Sequence, residues 1–288
     1  MGKKVSIDIY DVNNNLIVPK GMEITKYLLK DIALKNPENE EDFVSLKETQ
    51  IYKDIKVIMK EKNYKILFED ETVRKKTLAS LSLVSFPKNL IKELLNLKKT
   101  AVFIYHHSLS TTLLAERVAM EYMFYQKSIS KVVSATLTKD IGMSRLPRNI
   151  ITNTDFLSKE EYDLINEHTL WGIILLVYYL GEGTNALVSF RHHDNGQHPD
   201  FKILDLVIAL DIFNALISPR TYRKQPYDIR GALDLLSDMA AEGRLADEMI
   251  KRLVSAYRQE YQTPDKIKLS EEKLGFIPKD NYYGIKDL

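Results

Sequence analysis

The sequence predicts a mainly α-helical protein that begins with a small α/β module. From residue 101 onward, nearly every segment repeats its apolar residues at the spacing of a helix, which predicts an all-α core. The first 70 residues contain instead two short strand-like runs, 5–10 and 16–18, separated by the Asn-rich turn 13–15. A helical pattern follows at 24–34, and this order of elements indicates a mixed module.

The same patterns divide the chain into three parts. Residues 1–70 are predicted to form the accessory α/β module, 71–99 a helical connector and 100–288 a larger helical domain. Thr25 is a candidate N-cap, and Ser158 with Glu161 has the pattern of a capping box. The predicted helices are 24–34 and 52–60 in the module, and 101–125, 128–139, 158–168, 170–180, 185–190, 204–216, 228–239 and 247–257 in the helical domain.

The composition excludes several classes of function. The chain has 288 residues, no cysteine, and 41 basic against 40 acidic residues, which gives a net charge of +1. Without thiolates, any metal site uses His, Asp or Glu and favours Fe, Mn, Zn or Ni. The balanced charge gives no general attraction to DNA or to an anionic membrane. The longest apolar run, 173–180, is too short to span a bilayer, and the N-terminus has no signal-peptide core, so a cytoplasmic protein is predicted.

One stretch, residues 138–143, organises the candidate site. Asp140 lies there at the end of a predicted apolar helix and shortly before Gly142. A carboxylate in such a position is rarely buried unless it is paired or binds a metal. Lys139 beside it is either a solvated helix end or a cation that takes the place of a metal. Further candidates for the same polar cluster are His106, His107, His168, His192, His193, Asp194 and Asp211.

Each candidate also has a purely structural interpretation. Asp211 could bond to a neighbour within its apolar helix, and His168 could be a surface residue stabilised by a helix dipole. Either His106 or His107 is expected to be structural. Arg220 and Arg223 could be ordinary surface arginines.

Several motifs occur in a fixed order between residues 100 and 258. They are His107-Ser108, Lys139-Asp140-Ile141-Gly142-Met143, His168-Thr169-Leu170-Trp171-Gly172, His192-His193-Asp194, Leu210-Asp211-Ile212-Phe213-Asn214-Ala215-Leu216 and Ser218-Pro219-Arg220-Thr221-Tyr222-Arg223. The first two motifs are separated by 32 positions, from His107 to Lys139. Each fragment alone is weak, but the ordered set resembles the HD-GYP family, a branch of the HD phosphohydrolase superfamily.

This resemblance implies an HD-domain helical bundle in a cytoplasmic bacterial signalling protein. The family hydrolyses cyclic di-GMP or related cyclic dinucleotides with two or three metal ions, often iron or manganese. Asp140 matches the bridging carboxylate, and Lys139 stands beside it in the catalytic motif. The other implied metal ligands are His107, His168, His192, His193 and Asp211. Arg220 and Arg223 match basic residues that hold phosphate and guanine, and His198 falls within the family's Gly-Tyr-Pro signature as a substrate-binding candidate.

The chain departs from the family pattern at positions that carry chemistry. Lys139 replaces a ligand histidine, and a protonated ammonium has no lone pair for a metal. Met143 replaces a lysine directed at phosphate, and Phe103 offers no carboxylate for a third metal. The element that begins at His192 is three residues shorter than in the family, and its Gly-Tyr-Pro signature reads Gln197-His198-Pro199. Lys139 could therefore pair with Asp140 or Asp211 in the volume of the first metal, which predicts a site with one ion or none.

Three hypotheses follow for the function. The first is a degenerate HD-GYP-like domain of cyclic di-GMP pathways, weak or inactive as an enzyme, that binds a dinucleotide or a signalling partner such as a diguanylate cyclase. The second is a metal-dependent cyclic di-GMP phosphodiesterase with an altered mono- or dinuclear site holding Fe, Mn or another divalent ion. The third is a structural output domain that binds neither metal nor nucleotide. No DNA partner is expected, and a homodimer agrees with the way helical surfaces of this family often associate.

Overall fold

We describe the fold from a computed structural model of the chain, in which residues 2–35, 42–121, 126–151, 157–219, 225–260, 263–270 and 272–278 are described. The prediction of a mainly α-helical protein with a small N-terminal α/β module is confirmed. Within these residues, no helix combines the length and the apolar character needed to cross a membrane.

The N-terminal strands are shorter than predicted. Residues 5–10 contribute only β1 (Ile9–Tyr10), which pairs antiparallel with β2 (Leu16–Val18), while Lys4 makes an isolated bridge to Glu23. An irregular register between Ile9 and Tyr10 interrupts the ladder there. The predicted helix follows as α1 (Lys26–Leu34), and the Thr25 side chain caps it by accepting a hydrogen bond from the Leu28 N–H.

A second small sheet joins the first part of the chain to the predicted connector. Strand β3 (Phe43–Ser45) pairs antiparallel with β4 (Ser85–Pro87). Three residues in each strand are too few to show a period, so the sequence analysis missed both strands. The helices of this region are α2 (Gln50–Ile58), α3 (Glu71–Ser82) and α4 (Lys88–Thr100), and α4 begins directly after Pro87.

The helical domain is built around two long buried helices. They are α5 (Val102–Glu121) and α9 (His168–Leu180); α9 is buried at nearly every position from its first residue to Tyr179, so the bundle surrounds it on all sides. The remaining helices are α6 (Gln126–Thr138), α7 (Arg148–Ile151), α8 (Lys159–Asn166), α10 (Thr184–Arg191), α11 (Lys202–Ile217), α12 (Ile229–Ala241) and α13 (Asp247–Arg258), with a 3-10 turn at Ile141–Arg145 between α6 and α7. The capping box predicted at Ser158 and Glu161 is confirmed at the start of α8.

Glu116 is a buried carboxyl group on α5 that lies away from the motifs. It faces α3 near Thr77 and Ser80, and within the described residues neither carboxylate oxygen has a hydrogen-bond partner of normal geometry. Burial raises the pKa of Glu116 to about 7, and its neighbours only partly offset that rise. The protonated form is therefore the one that the fold accommodates best.

A Glu116→Gln variant is expected to change how stability depends on pH. Because the folded pKa lies above the unfolded value, the wild-type folded state holds an extra proton between the two values, and its stability falls as pH rises from about 4.5 to about 7. Glutamine does not titrate, so this loss is absent in the variant. The free energy of unfolding of the variant relative to wild type is therefore expected to rise by about 3 kcal/mol from pH 4 to pH 8. Urea unfolding at both pH values measures the gain, and Glu71→Gln, an exposed carboxylate on α3, is the control. A difference that does not vary with pH would contradict the assignment.

Candidate metal centre

The fold brings six ligand-capable side chains together in one polar cluster, with Asp140 among them. One group is His107, Asp140 and Asp211, and the other is His168, His192 and His193; within each group the candidate ligand atoms lie within 4.8 Å of one another. The residues come from α5, the turn after α6, the first position of α9, the turn after α10 and the middle of α11. Helix packing thus brings together residues that lie up to 104 positions apart in the sequence.

Lys139 is fully buried between two of these carboxylates. Its ammonium Nζ makes a short contact to Asp140 Oδ2 and lies 2.6 Å from Asp211 Oδ1. Burial alone would lower the pKa of Lys139, but the two carboxylates raise it, so the group is charged. Burial would likewise raise the pKa of Asp140 and Asp211, but the ammonium holds both well below their usual range. Lys139 is therefore no solvated helix end, and its charge fills the space between the two carboxylates.

His107 supports this ion-pair network from the other side. Its Nε2 lies 2.7 Å from Asp211 Oδ1, and the Asn214 amide Nδ2 lies 3.0 Å from His107 Nδ1. The Asn214 amide oxygen in turn accepts a hydrogen bond of 2.6 Å from the Tyr64 hydroxyl. In this arrangement Nδ1 accepts and Nε2 carries the proton that it donates to Asp211. Neither nitrogen of His107 then presents a lone pair to the cluster.

The hydrogen bonds of His168 and His192 have the opposite effect from those of His107 and leave one ring nitrogen of each facing the cluster. Their Nδ1 atoms lie 2.6 Å from the Ile165 carbonyl oxygen and 2.8 Å from the Ser189 carbonyl oxygen. A carbonyl only accepts, so each Nδ1 donates and each Nε2 is left as the atom that faces the cluster. This is the support that metal-ligating histidines usually have.

The three acceptors that converge here fit a cation. The two Nε2 atoms are 3.3 Å apart, and Asp140 Oδ1 lies 3.3 Å from that of His192 and 3.8 Å from that of His168. Burial lowers the pKa of His168 to about 3, so this ring is neutral near pH 7 and has no proton to donate from Nε2. His193 completes the group at the surface, with its ring centroid 4.1 Å from that of His192. Three imidazoles and one carboxylate suit a single Fe, Mn or Zn ion.

Three further residues, His198, Arg220 and Arg223, were predicted to bind substrate. His198 is held by two carboxylates: its Nδ1 lies 3.1 Å from Asp205 Oδ1, and its Nε2 lies 3.5 Å from Asp194 Oδ2. Both ring nitrogens are thus engaged within the loop, and a substrate-binding role of His198 stays a prediction. Arg220 and Arg223 lie outside the described residues.

The N-terminal module contacts both turns that carry the cluster. The Ser6 hydroxyl donates a 2.7 Å hydrogen bond to Glu167, the residue before His168. Arg145, at the end of the turn that follows Asp140, pairs with the buried Glu93 of α4 and donates to the Tyr10 carbonyl oxygen of β1 at 2.8 Å. The sequence analysis missed these positioning residues because contacts across 135–161 positions leave no local pattern.

Comparison with known proteins finds distant similarities. No family model matches the chain. Over 169 residues, 51% of this chain and 45% of the relative, it is 25% identical to a protein named cyclic di-GMP phosphodiesterase from Thermotoga maritima. This distant similarity agrees with the resemblance of the ordered motifs to the HD-GYP family. The chain spans about half the length of this curated relative. A solved structure titled Bd1817, a HDG"Y"P protein from Bdellovibrio bacteriovorus, is similar at a TM-score of 0.44 and 16% identity, over 89% of this chain and 96% of that one.

Gly142 of the HD-GYP-like motif sets the distance between Asp140 and His168. The 3-10 turn packs so closely on the start of α9 that a Cβ atom at this position would overlap the His168 carbonyl oxygen and lie 2.7 Å from the Gly172 nitrogen. Both obstacles are backbone atoms, which cannot rotate away. A glycine is therefore required here by close approach.

A Gly142→Ala variant is expected to lose about 1–3 kcal/mol of stability or more, because the turn and α9 must separate. Thermal unfolding followed by circular dichroism measures this loss. Gly243→Ala gives a useful comparison, since the same added Cβ meets no atom within 4 Å there and only the positive φ of 74° is strained. Equal stability of Gly142→Ala and wild type would mean that the turn and α9 are not in contact.

Proposed function

We propose that this chain is a degenerate HD-GYP-like signalling domain of cyclic di-GMP pathways. It is weak or inactive as a phosphodiesterase and acts by binding the nucleotide or a protein partner. The burial of the Lys139 ammonium between Asp140 and Asp211 is the observation that carries this proposal. The nucleotide is proposed from the name of the Thermotoga relative and from the ordered motifs.

The reason lies in what hydrolysis of a phosphodiester requires. Two cations about 3.5–4 Å apart stabilise the attacking and the leaving oxygen together. Lys139 supplies a fixed positive charge between Asp140 and Asp211, but an ammonium offers no open coordination position. Hydrolysis through this half of the site is therefore lost.

The other half of the site supports a second candidate function. His168, His192, His193 and Asp140 would hold one divalent ion, which when bound would supply Lewis-acid charge to a phosphate oxygen. Because the three imidazoles offer ligand atoms within 4.8 Å of one another and Asp140 Oδ1 lies beside two of them, a metal-dependent cyclic di-GMP phosphodiesterase with an altered mononuclear site is the alternative function.

Elemental analysis and a turnover assay on protein purified without chelator test the proposal. We expect at most one divalent ion per chain and a cyclic di-GMP turnover at least about a thousandfold below the typical 10 s⁻¹. Two ions with ordinary turnover would overturn the proposal, and one ion with ordinary turnover would establish the alternative. The Lys139→His variant restores the family's residue, and a second bound ion in this variant would identify Lys139 as the cause of the loss. We also propose a homodimer, as the family resemblance implies, and size-exclusion chromatography with light scattering tests it.

A further inference from the structure

Asn214 on α11 is a fully buried amide that packs against the imidazole of His107 on α5. Its Nδ2 atom lies 3.0 Å from His107 Nδ1 and 3.2 Å from the His107 carbonyl oxygen. The same Nδ2 lies 2.8 Å from Ser110 Oγ and 2.9 Å from Thr111 Oγ1. The Asn214 Oδ1 atom accepts a 2.6 Å hydrogen bond from the Tyr64 hydroxyl. Both ends of this amide therefore have partners inside the protein.

The neighbours of the Asn214 amide decide which of its ends faces His107. The His107 carbonyl oxygen only accepts hydrogen bonds, so the atom of the amide beside it is the NH₂ nitrogen and not the oxygen. The Tyr64 hydroxyl holds the opposite end, because it donates to Oδ1. An amide turned by half a rotation would bring Oδ1 against the carbonyl oxygen, and two buried acceptors without a proton between them repel each other. Two separate groups thus fix the orientation of Asn214.

This orientation assigns the proton of the His107 ring. An amide NH₂ group donates and does not accept, so His107 Nδ1 is the acceptor and carries no proton. The proton of the neutral ring is then on Nε2, which donates it to Asp211 Oδ1 at 2.7 Å. His168 and His192 show the contrast within the same protein: their Nδ1 atoms face carbonyl oxygens, and their Nε2 atoms are left for a cation. The group that faces Nδ1 therefore decides which histidines of the cluster can bind a metal.

We propose that Asn214 is a positioning residue that holds His107 in the tautomer unable to bind a metal. The half of the site around Lys139 is then closed to a cation by two residues: Lys139 occupies it with charge, and Asn214 withdraws a ligand. The inference rests on the proposed function and adds a second cause for the loss of an ion from the same half-site.

This role has a consequence for any attempt to restore the ion. Removing the Lys139 ammonium alone gives a weak site, because a His107 proton moved to Nδ1 would face the NH₂ group of Asn214. An acceptor at position 214 removes this cost. It holds the proton on Nδ1 and leaves Nε2 for a cation, which is the support that metal-ligating histidines usually have.

Nitrogen-15 NMR of the histidine rings in the metal-free full chain tests the tautomer directly. We expect His107 of the wild type to have an unprotonated Nδ1 and a protonated Nε2, and the His107→Gln variant identifies its signals. The isosteric Asn214→Asp variant places a carboxylate against Nδ1 and is expected to move a proton onto that atom. Tyr64→Phe is the matched control, since it also removes a buried hydrogen bond from Asn214 but leaves the NH₂ group on Nδ1. The His107 signals of this control are expected to keep the wild-type pattern.

Calorimetric titration with Mn²⁺ tests the consequence for the metal. In Lys139→His, we expect the ion of this half-site to bind at least about tenfold more weakly than in the double variant Lys139→His/Asn214→Asp. Asn214→Asp alone is expected to gain no ion, because the ammonium still lies between Asp140 and Asp211. Lys139→His/Tyr64→Phe is expected to bind Mn²⁺ as Lys139→His does.

The outcomes separate this inference from the proposed function. A protonated Nδ1 in wild-type His107, an unchanged His107 in Asn214→Asp, or equal Mn²⁺ affinities of the Lys139→His single and double variants overturns the role of Asn214 and leaves the proposed function intact. Two ions with ordinary turnover in the wild type overturn both, because the half-site would then hold an ion with Asn214 in place. Circular dichroism checks the fold of each variant. If Asn214→Asp does not fold, the wild-type spectrum still decides between the two tautomers.

Discussion

A Lys139→Met variant is expected to lose about 3–5 kcal/mol of unfolding free energy, the cost of removing one partner from a buried ion pair. Methionine has a similar length but no charge. It would leave Asp140 and Asp211 buried with His107 as their remaining donor on this side. Two carboxylates whose pKa values the ammonium now holds low would have to take up protons or water.

Urea unfolding in the presence of a chelator measures this loss, since no cation can then replace the ammonium. Lys131→Met is the matched control, because Lys131 is an exposed lysine on the same α6 helix. A surface substitution of this kind changes stability by about 0.5 kcal/mol or less. Adding Mn²⁺ to Lys139→Met should restore part of the lost stability. If the two methionine variants are equally stable, Lys139 is not the cation that neutralises these carboxylates.

A His192→Ala variant is expected to lose divalent-ion binding by at least about a hundredfold. His192 faces both His168 and Asp140 and is buried, so its removal deletes one donor and opens the group to water. For wild type, an ion at 100 times its Kd should add about 2.7 kcal/mol to the unfolding free energy, and this gain should disappear in the variant.

Thermal unfolding with and without Mn²⁺, together with metal content, measures the effect. His106→Ala is the control: it also removes a histidine, but one that pairs with Glu61 and belongs to neither ligand group. An unchanged Mn²⁺ response in His192→Ala would show that the ion binds elsewhere. A lost response in His106→Ala would show that the histidine group is not the binding site.

Local signals in the sequence predicted most of the helices. Apolar periodicity located them to within a few residues, and Thr25, Ser158 and Glu161 marked two helix starts correctly. The wrong predictions concern strands: residues 5–10 form a shorter strand than expected, and the pair β3–β4 was missed. Strands of two or three residues are specified by their partner across the chain, and a partner 42 positions away leaves no periodic pattern.

The candidate site could also be predicted only in part from the sequence. The identity and order of the motifs named every residue of the two ligand groups, because the residue types that can bind a metal are few. The alternatives for Lys139 could not be separated from the sequence, since a lysine after a helix is solvated or buried according to what packs over it. Helix α11 decides this by bringing Asp211 to within 2.6 Å of the ammonium.

The sequence by itself therefore determined the helical class, the motifs and the set of ligand-capable side chains of this protein. Tertiary structure alone decided which of these side chains form ion pairs and which face one another. It paired Lys139 with two carboxylates, turned His107 toward Asp211 through Asn214 and Tyr64, and left His168 and His192 facing each other. The physical reason is that electrostatic interactions depend on distance and burial, and both are set by packing between segments far apart in the chain.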